Sequence, residues 1–426
     1  MFKKIIATIG TRLITAIITL ALVVLNAHYL GAKNVGTISL IILAITINQL
    51  VNNFVGGPAL VYLVPRTDLW KLFVPSYLWA LVSSFAGSVI MELLHLIPEG
   101  FFIHVMILSF FLALFFVNTM ILMGQERIPS YNLVSLLQVI VLMIVLTGLI
   151  FIVKRRDVMA YITGLYCSYS FAFLLSFFMV LPKLKRAPLK GSMPVLKEIF
   201  RYGTVMQFGN IFQLFNYRLS YYFIETFLNR ATVGVYSVGV QLSEGIWLIS
   251  RSISMVQYSR ISNDNDRAYA IRLTLSLVRI SFIVTFLVLG FILLLPSAFF
   301  TFIFGPEFHY VKLTMVSLAA GILTLSVSIT ISPFFSGIGK PHHNTVSSAI
   351  GLVFTIVGGY VLIPKIGLIG AGVSASISYT MATIYQVIVF ARFARLRMKD
   401  LMVTRAEISM LRTEIKKVMK KEIPLP

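Results

Sequence analysis

The chain has 426 residues, 58% of them hydrophobic and only 12% charged, with a mean hydropathy of +0.91. A soluble domain carries about 25% charged residues, so the composition excludes one. A formal net charge of +21 would point to nucleic acid in a soluble protein; here it is distributed among the connections of a membrane protein and reports orientation, with no nucleic-acid partner expected.

Apolar runs long enough to cross ~30 Å of hydrocarbon, about 20 residues each, recur about twelve times. They start near residues 9, 37, 72, 101, 131, 158, 202, 232, 274, 311, 343 and 368. The first, with Arg12 near its start, continues into Asn26-Ala27-His28-Tyr29 and lacks a small-x-small cleavage site, so it reads as a span and not a removable signal. A loop is expected at Ala32–Ser39. Arg66 after span 2 reads as an orientation anchor, while Glu92 and Arg279 lie near enough to span ends to snorkel. The lone Cys167 rules out an intramolecular disulfide and reads as a packed span residue. The longest connection, 182–200, is rich in Pro and Lys and divides six spans from six. Spans 7 and 8 carry Arg218, Glu225, Glu244 and Arg251. His342-His343 open span 11 and read as structural; no Cys/His spacing suits a metal, and no cofactor is expected. From about 398 to 422, Leu401, Ile408, Leu411, Ile415 and Val418 recur at helical intervals among Lys and Arg, which predicts a basic amphipathic helix on the cytoplasmic leaflet.

With the N-terminus inside, the inner connections hold sixteen Lys and Arg and the tail from Arg392 ten more, against seven in the outer connections. Inner loops are the basic ones, so both termini are expected in the cytoplasm. The outer cluster Lys154-Arg155-Arg156 runs against this pattern.

The two halves share motifs. Val35-Gly36-x-x-Ser39 matches Val233-Gly234-x-x-Ser237 at an offset of 198; Pro129-x-x-Asn132-x-Val134-Ser135 matches Pro341-x-x-Asn344-x-Val346-Ser347 at 212; Ser168-Tyr169-Ser170 matches Ser378-Tyr379-Thr380 at 210. Three matches in the same order describe one duplication with small indels. Six spans per half keep both halves in one orientation, a parallel repeat that places a substrate path between rocking lobes. The expected organisation is an N-terminal six-helix lobe (1–181), a basic cytoplasmic linker (182–200), a C-terminal six-helix lobe (201–391) and a basic tail (392–426).

A charge at mid-membrane costs roughly 2.5–3.5 kcal/mol on insertion scales and is tolerated where it lines a watery cavity or meets a partner. Arg218 and Glu225 are seven apart, as are Glu244 and Arg251, so each pair falls on one helical face. Two readings compete. A structural ion pair would tie spans 7 and 8 together. A cavity wall would use arginines for an anionic head group, whose phosphates suit the planar guanidinium fork, and a glutamate for ion coupling. Tyr217, Tyr221, Tyr222, Tyr236 and Trp247 cluster around these charges, and Arg12 adds positive charge near the cytoplasmic mouth.

Asn216-Tyr217-Arg218-Leu219, Val233-Gly234-Val235-Tyr236-Ser237-Val238, Ser243-Glu244-Gly245-Ile246-Trp247 and Ser259-Arg260-Ile261-Ser262 resemble the polysaccharide-biosynthesis flippases, the Wzx-type O-antigen and capsule exporters. These belong to the multidrug/oligosaccharidyl-lipid/polysaccharide (MOP) exporter superfamily. Leu30-Gly31 through Gly36 is similar to their first loop, and Gly337-x-Gly339-Lys340-Pro341 and Leu362-Ile363-Pro364-x-x-Gly367-x-x-Gly370-Ala371 to their late spans. The resemblance runs through nearly the whole chain. It implies a MATE-like, all-α bundle of two six-helix lobes in the plasma membrane. It also implies movement of an undecaprenyl-pyrophosphate-linked oligosaccharide to the outer leaflet, coupled to H+ or Na+, with a downstream glycan polymerase as an expected partner. Arg218, Glu244 and Arg251 fall on or beside matching positions. Members often carry an acid where this chain has Ser220, which shifts the expected coupling role to Glu244 or Glu225.

The sequence therefore predicts substrate binding by Arg218, Arg251, Arg12, Tyr217, Tyr221 and Trp247, with ion coupling at Glu244 and Glu225. A MATE-like drug antiporter is the nearest rival; its site would favour acids and aromatics. A membrane-embedded glycan polymerase or glycosyltransferase would need a sizeable outer loop or a carboxylate cluster, and outer loops of only a few residues are expected. A scaffold without transport would not need buried charge.

Overall fold

A computed structural model of the protein describes residues 2–57, 59–184, 192–262 and 266–396. The linker residues 185–191, the Asp264 loop and the tail from 397 onward, including the expected amphipathic helix, lie outside the described residues. Among the described residues the chain is helical, without strands. In order come α1 (Phe2–Gly56), α2 (Ala59–Leu63), α3 (Leu69–Leu93), α4 (Phe102–Gly124), α5 (Ile128–Phe151), α6 (Val158–Val180), α7 (Ser192–Phe227), α8 (Arg230–Ser262), α9 (Arg267–Leu294), α10 (Ser297–Phe304), α11 (Val311–Gly337) and α12 (His342–Ala394).

Among the described residues, eight helices are long and apolar enough to cross a bilayer. Two of them, α1 and α12, run 55 and 53 residues, about 80 Å at 1.5 Å per residue and so more than twice the hydrocarbon thickness. Each is interrupted once, α1 at Gly31 (φ 80°) and α12 at Ile366–Gly367 (φ 60° at the glycine), so each supplies two spans. With α7 and α8, which have the length but carry the charged residues, twelve membrane-length helical stretches result among the described residues. The loop expected at Ala32–Ser39 is instead helix: the chain turns at Gly31 alone, because a positive φ is open to glycine without steric cost. The connection after α9, expected as a short outer loop, is longer: residues 297–304 form α10 and 306–308 a 3₁₀ turn.

The contacts gather into two compact units. The first comprises residues 1–211, 221–238 and 297–311; the second comprises 212–220, 239–296 and 312–426. In the first, α1 packs on α3, α4 and α5, and α6 on α4 and α5. Ile41, Ala44, Ile45, Val105, Leu108, Leu146 and Ile162 form one buried core, and Leu60, Leu63, Leu72, Val117 and Ile121 a second around α2. In the second unit, Val278 of α9, Ile331, Phe334 and Phe335 of α11 and Phe390 of α12 are packed together.

The duplication is written in polar contacts as well as in motifs. In the first unit, Asn118 of α4 donates to Ser176 of α6 at 3.1 Å. In the second, Ser328 of α11 donates to Gln386 of α12 at 2.6 Å, both partners shifted by 210 residues. Ser168 donates to the Gln138 carbonyl at 2.8 Å, and Ser378 to that of Gly351 at 2.7 Å, within a few residues of the repeat-related position. Buried hydroxyls and amides between membrane helices need partners, and both halves supply them at the same places.

The first unit also contains a contact between the repeat motifs themselves. A Cβ built on Gly36 would run into the backbone carbonyl of Arg230 and the amide nitrogen of Gly234; one on Gly234 would meet the carbonyl of Ala32 and the amide of Gly36. The partners pair at the 198 offset, so the contact is two-fold in character. Helix backbones approach this closely only through small residues. Beside it, the Glu307 carboxylate, following α10, accepts a hydrogen bond from the Ala32 N–H at 2.6 Å. It thereby caps the second limb of α1, whose first amides would otherwise be unsatisfied.

Candidate functional site

The second unit brings most of the expected site together. Asn216 of α7 is 3% exposed, and its side-chain oxygen accepts from Thr355 Oγ1 at 2.8 Å and from Ser378 Oγ, both on α12. Gly351 leaves the room that this amide fills. These bonds fix the rotation of α7 against α12. At about 100° per residue, Tyr217 and Arg218 then point away from Asn216 and toward other neighbours. The Tyr217 ring meets Trp247 of α8 at 5.9 Å and Tyr379 of α12 edge-on at 5.4 Å. Trp247 and Tyr379 also meet edge to face at 5.9 Å, and the indole N–H of Trp247 points at the Ile322 carbonyl at 3.4 Å. Trp247 and Tyr379 are fully buried, so both belong to the packing that supports the site.

One turn from Trp247, Glu244 accepts a hydrogen bond from Arg218 at 2.6 Å, an ion pair whose side chains keep 22% and 24% exposure. This is the distance of a charge-assisted bond. Full burial would set the desolvation cost against the attraction, and full exposure would screen it. Half-burial leaves the pair reachable by a ligand while water is partly excluded. Arg251, two turns beyond Glu244 on α8, is exposed.

The Arg218–Glu244 pair joins α7 to α8, as the reading of an ion pair between spans 7 and 8 expects. Residues seven apart are separated by about 10 Å along a helix, beyond ion-pair reach, so Arg218 does not pair with Glu225. Glu225 accepts instead from Arg230 at 2.6 Å, across the short turn between α7 and α8, and its second oxygen is buried without a hydrogen-bond partner. Glu225, Arg230 and Tyr221 belong to the first unit. There Tyr221 is buried, edge-on to Tyr236 at 5.7 Å. Arg12 lies exposed on the first limb of α1.

Three residues escape a reading of the sequence alone. Asn216 opens the Asn-Tyr-Arg motif and Ser378 the repeated Ser-Tyr pair, so both are visible as motif letters, though not as a clamp. Glu307 has a weaker signal, Gly305-Pro306-Glu307 between two apolar stretches.

No protein-family model matches the chain. Over 191 residues it is 25% identical to the capsular polysaccharide biosynthesis protein CapF of Staphylococcus aureus, covering 44% of this chain and 48% of that one. Over 207 residues it is 21% identical to the probable low-salt glycan biosynthesis flippase Agl15 of Haloferax volcanii, covering 48% and 44%. The chain thus spans about half the length of the curated relatives it matches. Solved structures match nearly its whole length. A lipid II flippase MurJ in an inward closed conformation superposes with a TM-score of 0.76 at 16% identity, over 94% of this chain and 89% of that one. An inward-facing multidrug resistance MATE family transporter of the MOP superfamily gives 0.69 at 14% identity, over 92% and 98%.

Proposed function

Taking the chain as one with the fold of the MOP exporter superfamily, we propose that it is a flippase for a polyprenyl-pyrophosphate-linked oligosaccharide, working by alternating access in the plasma membrane. The observation that carries this reading is the half-buried Arg218–Glu244 pair on two apolar helices, with Arg251 exposed nearby. A pyrophosphate competes with Glu244 for Arg218, since both offer oxygens to the same guanidinium fork. When the substrate draws Arg218 away, the carboxylate left behind takes up H+ or Na+. Substrate arrival and ion uptake are coupled by a shared partner, without any further moving part. The undecaprenyl tail stays in hydrocarbon beside the protein, and only the head group and sugars travel. With both termini cytoplasmic, the basic inner loops face the side where the lipid-linked glycan is made, and a glycan polymerase on the outer side would consume the product.

The test is surface glycan display in cells expressing Arg218→Ala or Glu244→Gln. Each variant is expected to reach the membrane and to abolish display; wild-type display from both would remove these residues from the site. The MATE likeness supports one rival, a drug or small-cation antiporter. Dye accumulation in everted vesicles, with no change in lipid-linked sugars, would favour that rival.

A further inference from the structure

We infer that the inner half of the second limb of α1 is a saccharide-binding subsite that takes uncharged sugar rings of the cargo; the inference rests on the flippase reading above. Gly36, Ser39, Leu43, Thr46, Leu50 and Asn53 recur at alternating spacings of three and four, so they form one stripe along the helix. The first three are buried, whereas Thr46, Leu50 and Asn53 are partly uncovered. The face that is closed around Gly36 at the outer end is open further in.

What lies on the open part is not what a lipid-facing surface carries. Gln49 donates to the Asn53 side-chain oxygen at 2.9 Å, and both residues are partly uncovered. A partly uncovered cluster of a hydroxyl and two amides is costly to set against acyl chains, so a hydroxyl-bearing occupant suits this face better than hydrocarbon. From the same stretch of α1, Phe54 joins a group of three aromatic rings from three helices. Phe54 stacks on Phe200 of α7 at 5.8 Å and 24°, and Trp79 of α3 meets Phe200 edge-on at 6.2 Å. The Trp79 indole is held by a 3.1 Å bond to the Val51 carbonyl, and Phe200 is 45% exposed. A sugar ring has an apolar C–H face and a rim of hydroxyls. It is bound by aromatic surface beside amides that both donate and accept, and both are present here.

The internal repeat sharpens this. At the 198 offset that pairs Gly36 with Gly234, Thr46, Gln49 and Asn53 correspond to Glu244, Trp247 and Arg251. The face that carries charge in the second half is neutral and hydrogen-bonding in the first. An anionic head group and an uncharged glycan call for that division of labour.

The experiment uses the full chain in lipid nanodiscs and two probes. One is the pyrophosphate-linked glycan lipid extracted from host cells lacking the gene; the other is the same preparation trimmed enzymatically to bare polyprenyl pyrophosphate. Wild type is expected to prefer the glycosylated lipid. The double variant Gln49→Leu/Asn53→Leu, which suits a membrane helix and keeps side-chain volume, should reduce that preference about tenfold, the effect of losing one or two good hydrogen bonds. Phe200→Leu, on a different helix, should reduce it as well. A preference retained in either variant, or absent from wild type that binds both lipids, overturns the subsite and leaves the flippase reading standing. Wild type that binds neither lipid overturns both.

Discussion

Gly36→Ala sets two effects of opposite sign against each other. In an exposed helix interior, replacing glycine by alanine stabilises by about 1 kcal/mol through helix propensity. At Gly36 the new methyl would coincide with the Arg230 carbonyl and crowd the Gly234 backbone. These neighbours are main chain, so no rotamer change relieves the clash, and the helices must separate; overpacking of this kind costs typically 1–3 kcal/mol. The collision outweighs the propensity gain. The expected net change is a destabilisation of about 1–2 kcal/mol. Gly148→Ala in α5, where a Cβ meets nothing within 4 Å, is the matched control and should be neutral or stabilising. The two-fold character of the contact adds a second test. Once one methyl has pushed the helices apart, the second finds room, so Gly36→Ala/Gly234→Ala should cost clearly less than the two single changes added together. Thermal unfolding in detergent, followed by intrinsic tryptophan fluorescence, measures all four variants. If Gly36→Ala unfolds at the same temperature as Gly148→Ala, the backbone contact does not hold these helices together.

Glu307→Ala removes the cap on the second limb of α1 and should cost about 1–2 kcal/mol, read as faster amide hydrogen exchange at residues 32–36; Glu307→Gln, which keeps an acceptor, should lose roughly half of that, and unchanged exchange in both would refute the capping role. For the Arg218–Glu244 pair, a double-mutant cycle with Arg218→Met and Glu244→Gln is expected to give a coupling energy of about 1–3 kcal/mol in thermal stability, above the roughly 0.2–1 kcal/mol of exposed pairs because this one is half-buried. Strictly additive effects would mean the two side chains do not interact in the membrane.

The spans were legible because bilayer thickness fixes their length and because the cost of charge keeps the runs apolar. The motif offsets were legible because a duplication leaves letters in register. The junction of the first two spans was harder to read. Sequence reasoning expects a loop where one span ends and the next begins, but a single glycine turns the chain, and a carboxylate 275 residues away caps the second limb of the helix. The sequence offers an ion pair between spans 7 and 8 without saying which charges form it. Two residues on one face of one helix share a direction but not a distance, so Arg218 pairs with Glu244 of α8 and Glu225 with Arg230. Local spacing says which way a side chain points. Which group it meets there is set by packing across elements, to which Asn216 and its hydroxyl partners on α12 contribute through bonds 139 and 162 residues long in sequence.

The repeat also separates what scaffolding requires from what chemistry requires. The Asn118–Ser176 and Ser328–Gln386 bonds sit at one offset, although the amide and the hydroxyl have traded helices between the halves. Only satisfaction of buried polar groups in a membrane is demanded at such places, and either arrangement meets the demand. The stripe from Thr46 to Asn53 and its counterpart from Glu244 to Arg251 obey no such common demand, and they have diverged from neutral to charged. Exchanging one member of that divergence is therefore informative. Asn53→Arg would place on the first half the charge that Arg251 carries on the second. An anion-binding role for this face in both halves predicts tighter binding of bare polyprenyl pyrophosphate and undiminished preference for the glycosylated lipid. A saccharide role for the first half predicts loss of that preference, because the added cation replaces an amide that accepts as well as donates with a side chain that can only donate.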